Sequence, residues 1–188
     1  MSAESALREA KLACNQISFY RAWSEFLNSI DAAYNCYGQS TGVCQRSVEW
    51  FKELSRLRKS DPMLQYLWQA RNADNHGIEA PAEFVPGRLS MGGDRDFGFS
   101  REISIKLDFD ERTLTQHIQA RSLDGKPISL KTAPPKALLL PVENRGVTYQ
   151  PPSSHLGQPL TTLNPIDVGD LALRYFSKRH GEAVKLMR

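Results

Sequence analysis

Arg71, Asn72 and His76 stand close together in the stretch QYLWQARNADNHGIEAP, where a helical pattern runs into Gly77 and then Pro81. Cleaving RNA without a metal requires a base for the 2′-hydroxyl proton, an acid for the leaving oxygen and a cation against the charge on the phosphorus oxygens. Histidine titrates near neutrality and can serve as either base or acid, while the arginine guanidinium stays charged and presents a planar fork that fits phosphate. On a helix Asn72 and His76 share a stripe, and Arg71, about 140° round from His76, converges with it through its long side chain. One copy supplies one histidine at this site, so separate acid and base roles are met most easily if two chains pool their copies across a two-fold axis. The alternative is the polar end of an ordinary helix, where Arg71 and His76 favour the dipole.

Two helical segments precede this cluster and a third carries it. From Ser2 to Tyr37 apolar residues recur every three or four positions without Gly or Pro, which predicts one long helix broken by GQSTG (residues 38–42). Val48, Phe51, Leu54 and Leu57 predict a second, ending in RLRKS. Asp61 as N-cap and Pro62 at the first helical position open a third, with Met63, Leu64, Leu67, Trp68 and Ala70 as its apolar stripe and Gly77 as its stop. Trp23, Trp50, Trp68, Tyr34, Tyr37 and Tyr66 sit at helical spacing and read as core or interface packing rather than base-stacking surfaces.

Beyond Pro81 the composition changes. PAEFVPGRLSMGGDRDFGFS (residues 81–100) is Gly- and Pro-rich and reads as a long loop; MGGDRDFGF lacks the Lys-Ser or Lys-Thr of a phosphate-binding loop. EISIKLDF alternates strictly, TLTQHIQARSL follows, DGKP signals a hairpin, and KALLLPV and GVTYQ offer further strands, together a small antiparallel sheet. Asp167 is expected to cap a final helix through Leu171, Ala172, Tyr175 and Phe176, returning to the first three to close a four-helix bundle or lying on the sheet. Asp108, Asp110 and Glu111 read as a solvated turn, and His117 and His155 have no partner in the sequence that assigns them chemistry.

With RNADNH following two helices, the chain resembles the HEPN superfamily, helical bundles that carry an Arg, four to six residues and then His, often with a polar residue straight after the Arg. The resemblance takes in roughly residues 1–77, and extends to the last helix where that helix closes the bundle. It implies that Arg71 and His76 are a catalytic pair oriented by Asn72, that the activity is metal-independent endoribonuclease action on an RNA substrate in a homodimer, and that the setting is a toxin or defence effector with a possible cognate antitoxin or regulatory protein. It implies no cofactor and no metal. The looser Arg…His pattern also occurs at Arg112…His117 and Arg174…His180, the first in a strand-like stretch and the second with Tyr175 where a small polar residue belongs.

The expected fold class is therefore α+β: a mainly α-helical up-down bundle with a small antiparallel sheet inserted before the C-terminal helix. Its parts are a bundle at 1–80, a loop at 81–100, a β segment at 101–165 and a helix at 166–188. Across 188 residues the net charge of +3 is too small to announce a nucleic-acid binder, although Arg174, Lys178, Arg179, Lys185 and Arg188 gather near the end. Cys14, Cys36 and Cys44 are odd in number and lack metal-ligand spacing, and read as buried small hydrophobes. No apolar run reaches the ~18 residues of a spanning helix, so the expectation is a cytoplasmic protein away from the membrane. The rival function is a non-catalytic helical module binding a nucleotide or protein partner through the β segment.

Overall fold

The structure is a computed structural model describing residues 2–40, 44–75, 80–92, 103–110, 115–122 and 129–186, with the backbone alone for residue 75 and for those between 88 and 132. It combines helices with short antiparallel strand pairs in two compact units, Met1–Val85 with Lys136–Arg188, and Pro86–Pro135.

In the first unit, α1 (Ala3–Leu12) and α2 (Gln16–Ser40) replace the single helix expected from Ser2 to Tyr37. Ser2 caps α1 by accepting from the Ser5 N–H at 3.2 Å, and Ala13 turns extended. Asn15 then starts α2, its Oδ1 accepting from the Ser18 N–H at 2.9 Å, so a strong capping residue overrides a periodicity that runs unbroken across the turn. Nor does Gly38 end α2. A Cβ there would meet Cζ of Phe51 at 2.7 Å, so the missing side chain is what lets α2 approach α3 (Gln45–Ser60).

Helix α4 (Pro62–Asn75) begins as the sequence predicts, with Asp61 Oδ1 accepting from the Leu64 N–H at 3.0 Å. Helix α5 (Pro165–Leu186) is capped by Asn164, whose Oδ1 takes the Ile166 N–H at 2.9 Å, and not by Asp167, which accepts instead from the Thr162 hydroxyl. With Pro165 at the first helical position, Asn164 is the natural boundary. Helix α5 packs on α1, on α3 and on the strand Lys136–Leu139. A Cβ on Gly169 would lie 2.6 Å from Cδ1 of Leu7, which measures how closely α5 approaches α1.

The core gathers Leu7 of α1, Phe19, Trp23, Phe26 and Leu27 of α2, Met63, Tyr66 and Leu67 of α4, and Val168 and Ala172 of α5, all 5% exposed or less. Removing each large apolar side chain from water contributes about 1.5–3 kcal/mol. Strands join this core too. Residues 81–100, expected as a loop, contain β1 (Ala82–Val85) and β2 (Arg88–Gly92). Strand β1 pairs antiparallel with β6 (Lys136–Leu139), and Phe84 stacks on Phe19 at 5.0 Å between ring centroids. Two hairpins follow: β7 (Val142–Asn144) with β8 (Val147–Tyr149), and β9 (Ser154–His155) with β10 (Gln158–Pro159). Their turns, Arg145-Gly146 and Leu156-Gly157, hold positive φ at both residues, the two-residue turn whose twist matches a hairpin.

The second unit holds β2 paired with β5 (Ser129–Ala133) and β3 (Ile103–Asp110) paired with β4 (Thr115–Ser122), both antiparallel. The expected single sheet is thus a set of two-stranded ladders shared between the units, among the described residues. The DGKP turn at 124–127 lies outside them.

The three cysteines, expected to be buried, are exposed and free: Cys14 lies in the α1–α2 turn, Cys36 on the outer face of α2, and Cys44 at the start of α3. Among the described residues no helix is long and apolar enough to cross a membrane.

Candidate functional site

Arg71 and Asn72 sit in the last turns of α4, and Arg71 turns toward α2. Its Nε donates to Oδ1 of Asn28 at 3.3 Å, its Nη1 to Oδ1 of Asn72 at 3.2 Å, and its Nη2 lies 3.5 Å from Oδ2 of Asp31. About a third of the Arg71 side chain remains exposed. His76, Gly77 and Glu79 lie outside the described residues, so the structure places two of the three expected site residues.

Asp31 is the centre of the cluster. It stands on α2 where an apolar residue would continue the stripe Leu27, Ile30, Tyr34, and its side chain is only 10% exposed. A carboxylate so deeply placed needs partners. It finds them in Nη2 of Arg58 on α3, in Arg71 and in the amide of Asn35, which donates at 3.1 Å. The Arg58 guanidinium lies over the rings of Tyr34 at 3.9 Å and Trp68 at 4.6 Å, so cation–π contacts from α2 and α4 hold it on two sides. Tyr34 is itself fixed by donating to Oγ of Ser55 at 2.8 Å.

Asp31, Tyr34, Arg58, Trp68 and Arg71 line a narrow cavity of about 30 Å³ together with Leu64 and with Tyr175 of α5, room for a water or two rather than for a nucleobase. Burial raises the Tyr175 hydroxyl above its ordinary value, and that hydroxyl makes no hydrogen bond of good geometry.

A second pair went unmarked in the sequence. Asp61 Oδ1 lies 3.0 Å from Nδ1 of His155, and Asp61 Oδ2 accepts from the Leu156 N–H at 2.6 Å, so the carboxylate that caps α4 also clasps the β9–β10 turn. No local pattern marks this, because the partners are far apart along the chain. Asp31 and Arg58 did leave a signal: each is a charged residue at a stripe position of its helix.

Of the other Arg…His patterns, only Arg174…His180 falls wholly among the described residues, and it does not converge. Arg112 lies outside the described residues. Arg174 and His180 are both exposed, about 120° apart around α5, and His180 lies instead against the ring of Tyr37 at 6.3 Å. In the β3–β4 ladder His117 is the register partner of Asp108. The expected core role of the aromatic residues holds for Trp23 and Tyr66, each 1% exposed. Among the described residues no group of three or more His, Cys, Asp or Glu side chains is placed to hold a metal ion.

The cluster can orient a guanidinium at a partly open surface while a second guanidinium neutralises the carboxylate beneath it. Compared with models of known protein families, with curated proteins and with solved structures, the chain matches none.

Proposed function

We propose that this chain is a metal-independent endoribonuclease of the HEPN type, acting as a homodimer and serving as a toxin or defence effector. The observation that carries the reading is the setting of Arg71. Neutral amide oxygens of Asn72 and Asn28 hold its fork at 3.2 and 3.3 Å, and Asp31, which faces both guanidinium groups, leaves the pair Arg58 and Arg71 one net positive charge. That is what a cation against a phosphodiester requires: fixed direction, partial exposure and charge left over.

In this mechanism one His76 removes the 2′-hydroxyl proton and the oxygen attacks phosphorus. The His76 of the second copy delivers a proton to the departing 5′-oxygen, leaving a 2′,3′-cyclic phosphate and a 5′-hydroxyl. Arg71 lies against the non-bridging oxygens as their charge grows, and Asn72 keeps its fork aimed. The test is incubation with mixed cellular RNA in EDTA beside an Arg71→Ala, His76→Ala variant of unchanged helical circular dichroism. Cleavage by the wild type alone, with cyclic phosphate ends, is the expected result; intact RNA from both sinks the proposal.

A second reading has its own support. The close pairing of Asp31 with Arg58 inside the helices suits a purely architectural cluster in a non-catalytic module that binds a nucleotide or protein partner. Such a module has no turnover for Arg71→Ala to remove.

A further inference from the structure

Helix α5 carries a face that the core does not use. Arg174, Lys178 and Lys185 are exposed, and their spacing of four and seven residues puts them within about 40° of one another along about 16 Å of helix. None of the three forms an ion pair among the described residues. The acids on α5 hydrogen-bond or pair with other groups: Asp167 takes the Thr162 hydroxyl, Asp170 takes Lys11 at 2.9 Å, and Glu182 takes Arg179 at 2.8 Å and Nε1 of Trp50 at 3.1 Å, with Lys178 acting on Glu182 only through space. The helix dipole accounts for Lys185 alone, because it acts within the last turn and the other two cations lie further back.

Gly181 falls in the same stripe, between Lys178 and Lys185. A Cβ there would meet nothing within 4 Å, so no packing among the described residues calls for glycine, although glycine weakens an exposed helix relative to alanine. What the bare position offers is room for an outside group to reach the backbone between two ammonium groups.

We infer that this outer face of α5 is a docking track for the phosphodiester backbone of single-stranded RNA. The cations supply charge complementarity, and Gly181 supplies close approach. An anionic membrane surface fits less well. An interfacial helix lays its apolar face into the lipid, whereas Val168, Ala172, Tyr175 and Ala183 on the apolar face of α5 are buried within the protein. Arg174, at one end of the track, precedes Tyr175, whose buried side chain lines the cavity shared with Arg71 from the inner side of α5. The inference rests on RNA being the substrate, but binding is read apart from cleavage.

The experiment is fluorescence anisotropy of a fluorescein-labelled oligouridine on the full chain carrying His76→Ala, over a series of KCl concentrations. Arg174→Gln, Lys178→Gln, Lys185→Gln together should weaken binding at least about tenfold and flatten the slope of log K against log salt by about 2, at roughly 0.7 per single-strand phosphate contact. Gly181→Gln should weaken binding several-fold while raising Tm, a pair of opposite effects that a merely structural role does not produce. An unchanged affinity and slope in the triple variant overturns the track, as does absence of oligouridine binding, or capture by phosphatidylserine vesicles in preference to RNA. Cleavage by wild-type protein with an unaltered triple variant removes the track and leaves the ribonuclease; salt-sensitive binding without cleavage does the reverse.

Discussion

Asp61 and His155, 94 residues apart, meet at 3.0 Å where α4 begins. Burial alone would raise the Asp61 carboxyl, but His155 and the N–H groups of Leu156 and Leu64 outweigh it and hold the carboxyl below its ordinary value. The sign follows from the lowered folded pKa. The stabilisation is complete above the unfolded value of about 3.9 and is lost as pH falls through the lower folded one. Asp61→Ala removes the cap and strands buried donors, and should cost about 3 kcal/mol in urea denaturation at neutral pH. Asp61→Asn keeps a cap and should cost less, and its stability should fall less steeply in acid than that of wild type. Parallel acid profiles would show that the carboxylate is not the group responsible.

Asp31 and Arg58 should behave as a unit. Arg58→Ala leaves a carboxylate in the interior with Arg71 and Asn35 as its remaining partners among the described residues and empties the space between Tyr34 and Trp68, so a loss of about 3–5 kcal/mol is expected. Asp31→Leu with Arg58→Met should lose less than the two single changes summed, as a double-mutant cycle measures. Additive losses would mean that the short contact carries no coupling.

The contrast between what was legible and what was not follows the range of the interactions. The stripe of α4 and its start at Asp61-Pro62 are written in adjacent residues, and so is the strict alternation of β3. The break at Asn15 is hidden because the apolar period continues in phase through a three-residue turn. The Asn164-Pro165 boundary is a local signal too, since a Pro immediately after a capping residue marks the first helical position, but Asp167 two residues further on competes with it as a cap. Arg71 and Asn72 could be singled out from spacing, but Asp31 and Asn28, which set the direction of the Arg71 fork, come from another helix. His155 had no chemistry in the sequence because its partner lies in a different segment.

Two glycines of α5 should respond to alanine with opposite signs. Gly169→Ala drives a Cβ to 2.6 Å from Cδ1 of Leu7 and 3.3 Å from Cζ of Phe26, both core residues without room to swing away, so a loss of about 1–3 kcal/mol is expected. Gly181→Ala meets nothing and should gain about 1 kcal/mol from helix propensity. Thermal unfolding of the two variants reads both, and a gain at Gly169 would mean that α1 and α5 do not pack as closely as described.

Arg71→Lys separates charge from shape at the proposed site. The ammonium keeps the positive charge, but it cannot hold Asn28, Asn72 and Asp31 with one planar group as the guanidinium does. If Arg71 acts as an aimed fork on a phosphodiester, Arg71→Lys should lose most of the activity that Arg71→Ala loses, on the order of 10²–10³-fold in kcat. Asn72→Ala, which leaves the Asn28 contact in place, should fall between Arg71→Lys and wild type. His76→Ala should lose about 10²–10⁴-fold without loss of helical circular dichroism. The order of Arg71→Ala, Arg71→Lys and Asn72→Ala matters more than any one value: a lysine variant as active as wild type would show that Arg71 contributes charge alone, and the amide oxygens around it would then have no part in catalysis.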